Sequence, residues 1–461
     1  MNTVVMAPML SERDVAPGTE GGIDPLGLAA IADRLGTRLV PGVRERQRHP
    51  RFLTAIAVSL AVCEDFDPEK VAKDEVSEPW QVFEWYLVEG LARTSQTNAD
   101  ESDAVESDQP KVTRDEARTM RGVPGSLKAR QALDHGVSLS AKQYLRTPRV
   151  FGFHGVYRLL ARTLGIEDKS TGRLGAAGEE LLQIWSKTSG LTGFVGSGDG
   201  EGKTLRRELH KAVADGLQKA ATDRGKGWSR WQFFRDHLDL YSAGKSEADF
   251  IMQRLLDDRE GYRRKVLEFL ISADGQTTFK TTKSERAFHA ALRSHATDGL
   301  GQLLDAIGQY EAFARLCQNA FDDCLTEMTG PGKVTTNQLG KLPSVKQAAE
   351  QVSGLIEELL ARLEPFKESA RLRDSCGSLA SRCSPAEWAS LLLQHHCDTQ
   401  HRKQPAKQPW IVPMDGGHWQ IRTLYRERFQ ETKRSANADD YVHAYRTNSL
   451  WSFTHDLKVL S

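Results

Sequence analysis

Between residues 300 and 328 apolar side chains return every three or four positions, as Leu303, Leu304, Ile307, Tyr310, Phe313, Ala314, Cys317, Phe321, Cys324 and Leu325. That period puts them on one face of a long helix and does not fit the strict alternation of a half-buried strand. Gly330-Pro331-Gly332 ends the run, since neither residue type continues a helix well. A second stripe, Val352, Leu355, Ile356, Leu359, Leu360 and Leu363, lies within 345–366. Two long helices with such one-sided stripes are expected to pack antiparallel. The same spacing recurs in Leu28, Ile31, Ala32 and Leu35 after an Asp24-Pro25 helix start, and in 52–63, 81–93, 203–221, 227–240 and 262–271. A period of two appears only near the C-terminus, where Trp410-Ile411-Val412, the turn Asp415-Gly416-Gly417, and Trp419, Ile421 and Leu424 read as a hairpin. The predicted class is mainly α: multi-helical, with a central helix-turn-helix or winged-helix-like module and a short C-terminal β-hairpin.

Composition shifts divide the chain. Residues 1–22 are rich in Pro, Gly, Ser and charge and read as a disordered tail, and 95–115 contain the acidic run NADESDAVESD and read as a disordered loop. Between them 23–94 form an N-terminal helical region. The central module occupies 116–190, a Gly-rich linker 191–202, a helical domain 203–370, and a C-terminal helix with the hairpin 371–461. The chain carries no signal-peptide pattern and no apolar run long enough to span a membrane. Its six cysteines are scattered, which suits a reducing compartment, so a soluble cytoplasmic protein with no membrane partner is expected. The formal net charge is zero, and any attraction to nucleic acid must therefore be local.

Such a local excess lies in the central module, LRTPRVFGFHGVYRLLARTLGIEDKSTGRLGAAGEELLQIW, where two helical stripes flank a short polar turn. Val156, Leu159, Leu160 and Leu164 mark the first helix, and Ala177, Leu181, Leu182 and Trp185 the second. Arg146, Arg149, Arg158, Arg162, Lys169 and Arg173, with Lys142, oppose only Glu167 and Asp168. A DNA phosphate backbone favours that balance, while a plain helical hairpin with a solvated basic face accounts for it equally simply. Arg44, Arg46, Arg48 and Arg51 crowd the entry to the 52–63 helix and form either a second phosphate-contact patch or a solvated loop.

Three stretches invite other chemistry. The loop from Gly193 to Thr204 ends in Gly-Lys-Thr as a P-loop does, yet position 197 is Ser where the motif needs Gly, and Asp199 and Glu201 intrude. No nucleotide is expected there. Cys376, Cys383, Cys397 and His401 are a permitted zinc set, but six residues between the first two cysteines is looser than zinc knuckles use. His395, Asp398 and His401 share one helix and could serve acid–base chemistry, although no nucleophile with an orienting partner is evident. Trp410, Trp419 and Tyr425 alternate with basic residues, a pattern that either stacks single strands or anchors the hairpin to helices beneath, and anchoring is the better reading. No catalytic residue, metal or cofactor is assigned.

Three pieces of the chain, DPLGLAAIADRL through LVPGVRERQRHPRF, LRTPRVFGFHGVYRLLARTLGI, and HHCDTQHRKQPAKQPW with HAYRTNSLWSFTHDL, resemble a family of bacterial proteins of similar length encoded in phage-defence neighbourhoods beside helicases and methyltransferases. The resemblance rests on no catalytic motif and brings no residue roles. It implies a cytoplasmic subunit acting with DNA-handling partners. The expected function is thus a non-enzymatic DNA-binding or scaffolding subunit of a bacterial phage-defence or DNA-processing complex. The alternatives are an enzyme, such as a nuclease, built on His395, Asp398 and His401, and a protein-interaction subunit that binds no nucleic acid.

Overall fold

Among the described residues twenty α-helices carry these stripes, and one three-stranded antiparallel sheet stands near the C-terminus. The computed structural model describes residues 24–100, 120, 122–196, 198–241, 243–258, 261–330, 333–430 and 440–459. The expected tail at 1–22 and most of the expected acidic loop lie outside them; the helix Pro79–Asp100 continues beyond the end foreseen at position 93. The chain forms two compact units, each discontinuous in sequence: Met1–Gly36 with Thr277–Ala444, and Thr37–Gln276 with Tyr445–Ser461.

In the first unit the helix Asp298–Thr329 lies along the helix Pro343–Leu363. Ser344 donates to Asp323 at 2.5 Å and Gln309 to Glu358 at 2.6 Å. One number rises as the other falls, so the pair is antiparallel as expected. Leu303, Ile307, Phe313, Phe321 and Leu325 on the first helix and Val352, Ile356, Leu359 and Leu363 on the second are buried. The helix Pro385–Arg402 starts at a capping box in which Ser384 and Glu387 satisfy each other's backbone N–H groups.

The hairpin forms from β2 (Ile411–Met414) and β3 (His418–Ile421), with Ile411 opposite Ile421 and Met414 opposite His418. A third strand, β1 (Val334–Thr335), adds to the far side of β3, giving the order β1-β3-β2. Two residues are too few to register as a period-two pattern. Trp410, Trp419 and Tyr425 are all buried, in keeping with the anchoring role.

The Asp24-Pro25 helix start is displaced. The Asp24 carboxylate caps as expected, accepting from Leu28 and Ala29 N–H at 3.0 Å each, but the helix is Ala29–Leu39. Gly27 sits at φ +71°, where a Cβ would come within 2.9 Å of Thr399 Cγ2. Residues 25–27 thus form a turn whose Pro25 and Leu26 carbonyls accept from His396 and His395.

The second unit is organised around the helix Phe52–Val62, buried at every position except Leu60. A helix apolar on all sides needs neighbours on all sides. It packs against Phe153–Thr163, Ala176–Thr188, Pro79–Asp100 and Glu201–Lys219. The central module is therefore part of this core.

Candidate functional site

The short helix Pro148–Phe151 leads directly into Phe153–Thr163, and a turn joins the latter to Ala176–Thr188. Within the turn Glu167 and Leu174 form an isolated antiparallel bridge. The bridge holds Glu167 inside the protein at 0% exposure, and there its Oε1 accepts from Arg158 Nε at 2.8 Å and Arg162 Nε at 2.9 Å. Two of the module's cations are thereby held against one buried carboxylate. The His154 ring lies 3.9 Å from the other oxygen of Glu167. Burial, reinforced by the charges of Arg158 and Arg162, pulls its pKa down to about 3, so this imidazole is neutral and the approach is no ion pair.

Beneath the same helix Glu84 accepts from Tyr144 Oη at 2.7 Å and from the His154 backbone N–H at 3.2 Å. Burial outweighs both bonds and pushes its carboxyl up to about 7. At the turn's tip Asp168 is held down to about 2, first by the Ser170 hydroxyl and then by Thr171. It stays charged between the exposed Lys169 and Arg173, which reduces the local excess there.

The remaining arginines are arranged differently. Arg146 and Arg149 are exposed, and Arg149 reaches Glu78 at 3.2 Å with its side chain 62% exposed. Arg46, from the other basic segment, lies over the ring of Phe151 at 4.7 Å. Gln47 fixes that segment by donating to Val156 O at 3.0 Å and accepting from Arg44 N at 3.0 Å. The buried hydroxyl of Tyr157 accepts two backbone N–H groups, from Arg48 at 2.6 Å and His49 at 2.8 Å. The 44–49 turn is thus fastened to Phe153–Thr163, which brings Arg46 onto Phe151, next to the short helix that carries Arg149, although about a hundred residues separate the two segments in sequence. Arg51 does not join this face. It is 4% exposed and pairs with Glu247 at 3.1 Å, while its other nitrogens donate to the carbonyls of His237 and Asp239.

The same turn presents His49 to a cavity of about 610 Å³ lined also by Arg48, Tyr241, Trp451 and His455. His49 Nδ1 is 2.7 Å from Asp456 Oδ2. A carboxylate only accepts, so Nδ1 carries the proton. The Tyr241 ring meets His49 edge-on at 4.9 Å. Gly122, at φ +85°, closes the other side of the ring, and a Cβ there would lie 2.8 Å from Nε2. His49 lies among the arginines that crowd the entry to the 52–63 helix, and Asp456 lies near the end of the chain; with 407 residues between them, no local signal in the sequence joins the two.

The other candidates do not assemble. His395 is buried with Nε2 on Leu26 O at 2.8 Å, whereas Asp398 and His401 are exposed on the same helix, so the three do not face one point. His396 donates from Nδ1 to Pro25 O and accepts from Trp410 N–H, and burial lowers its pKa to about 4. Of the cysteines considered for zinc, Cys376 and Cys397 are buried and Cys383 is half-buried, while His401 is exposed. Among the described residues no three metal-capable side chains gather. In the Gly-rich loop Lys203 Nζ bonds Asp199 at 2.5 Å, and Gly202 N–H closes on Thr192 O at 2.9 Å. No helix among the described residues is long and apolar enough to cross a membrane. No family model, no curated protein and no solved structure matches the chain.

Proposed function

We propose that this protein is a DNA-contacting, non-enzymatic subunit of a cytoplasmic bacterial phage-defence or DNA-processing complex. Arg46, Arg48, Arg146 and Arg149 would take the phosphates, with Arg44, Lys169 and Arg173 at the margins. One observation carries the reading: Arg46 lies on Phe151, so two basic segments remote in sequence meet on one exposed face. In a chain of zero net charge such a face supplies a local field that a neutral surface lacks. Arg158 and Arg162 take a supporting part, because Glu167 already holds their guanidinium groups. The partner subunits rest on the family resemblance alone. Duplex DNA should bind with an affinity that falls steeply as salt rises, and Arg46→Ala with Arg48→Ala should flatten the log–log slope by about two. An unchanged slope in that double variant, or no salt-dependent binding at all, removes the proposal.

A further inference from the structure

We infer that the cavity beside His49 takes one nucleotide of a single-stranded nucleic acid, its base against Trp451 and Tyr241 and its phosphate on Arg48. The inference rests on the DNA-contacting reading and extends it to a substrate form. At about 610 Å³ the space falls within the range of roughly 300–1,000 Å³ that small-ligand sites occupy. Its lining brings together one indole, one phenol and one exposed arginine, with the imidazoles of His49 and His455 and the Asp456 carboxylate. Aromatic rings beside a cation suit an unstacked base and its phosphate, because every base has a π-face and every nucleotide an anion. A base within a duplex is covered on both faces by its neighbours and cannot reach a recessed ring.

The walls are held in place before any ligand arrives. Trp451 and Asp456 lie on one helix, Thr447–Asp456, and Asp456 ties that helix through His49 to the turn that carries Arg48. Ser449 Oγ donates to Arg44 O at 2.9 Å and Arg446 Nε to Val43 O at 3.3 Å, so three bonds fix the aromatic wall against the cationic one. The backbone segments that carry Trp451 and Arg48 therefore need little reordering on binding, which is what preorganisation contributes. Asp456 Oδ2 accepts the His49 N–H, so the carboxylate is engaged with the ring and Arg48 supplies the cavity's cation.

The test uses the full chain and three probes: a short oligothymidylate, an abasic strand of the same length and a duplex. Wild type should bind oligothymidylate about tenfold more tightly than the abasic strand, the effect of one stacked base. Trp451→Leu, which keeps apolar bulk but removes the ring, should abolish that preference and leave abasic and duplex affinities unchanged. Trp451→Phe should restore most of it. Equal binding of the two strands by wild type, or an undiminished preference in Trp451→Leu, overturns the inference. If no polymer binds, thymidine monophosphate is titrated instead. Saturable binding that Trp451→Leu loses would retain the cavity while the DNA face falls, and absence of that binding would remove both.

Discussion

Two pairs of arginines, Arg158 with Arg162 and Arg46 with Arg48, look interchangeable in sequence, each sitting in a basic stretch beside a buried helix. In the folded protein the first pair converges on Glu167, which is wholly buried, and the second pair stands exposed on a turn held by Tyr157. The difference lies in the carboxylate. A charge count treats Glu167 as one unit of negative charge on a surface, whereas the bridge to Leu174 draws it inside, where it must be paired to be tolerated. Local charge excess is thus a poor measure of the field a surface offers; what counts is which cations a buried anion has already claimed.

This contrast can be broken most directly at the clamp. Arg158→Ala with Arg162→Ala leaves a buried carboxylate with neither guanidinium, and should destabilise the protein by about 3 kcal/mol or more. Urea denaturation measures it, and a midpoint equal to wild type would mean that Glu167 does not depend on the two arginines. A somewhat smaller effect comes from the neighbouring carboxyl. Glu84 is held at about 7 in the folded protein against an ordinary value of 4.5. The native state then keeps its proton longer than the unfolded chain does, so Glu84's contribution is full below about 4.5 and declines as pH rises through 7. Comparing wild type with Glu84→Gln isolates this pH dependence. Wild type should lose roughly 2–3 kcal/mol relative to the variant between pH 4.5 and 8, at about 1.4 kcal/mol per unit. A pH-independent difference would contradict the burial of a protonatable group there. His154 works in the opposite sense, being held down at about 3, and it is common to both proteins, so it drops out of the comparison. The smallest effect belongs to the exposed pair: Arg46→Ala with Arg48→Ala should shift stability by less than about 1 kcal/mol, since surface side chains away from buried networks contribute little. A loss matching that of the clamp double variant would erase the distinction between the two pairs.

Much of the architecture was legible because helical periodicity survives any tertiary arrangement. Leu303, Ile307, Phe313 and Leu325 are buried where their spacing put them, and the turn at Asp415-Gly416-Gly417 joins two paired strands. The long helices could be paired because each carries one continuous apolar stripe and they follow one another in the chain. Positions that depend on a distant partner were not legible. The start of the first helix moved because Gly27 packs on Thr399 and the carbonyls before it serve His395 and His396, all of which come from the far end of the chain. β1 became a strand only because β3 was there to pair with it. For the candidate site the sequence displayed the arginines but not their allotment: Arg51 looks like Arg48 until Glu247 claims it. The His49–Asp456 pair left no trace, since neither residue has a neighbour that would mark it.

The return of residues 445–459 to the unit formed by 37–276 has a consequence for synthesis. A chain emerging from the ribosome makes the turn that carries His49 early, then the whole of 277–444, and only afterwards the helix that supplies Trp451 and Asp456. At about 5–20 residues per second that interval lasts roughly twenty seconds or more. During it the nascent polypeptide exposes a half-built cleft with a histidine lacking its carboxylate. The nucleotide-sized space is therefore completed late in translation, and a chain cut before Tyr445 would keep the arginine turn but lack Trp451 and Asp456 beside it.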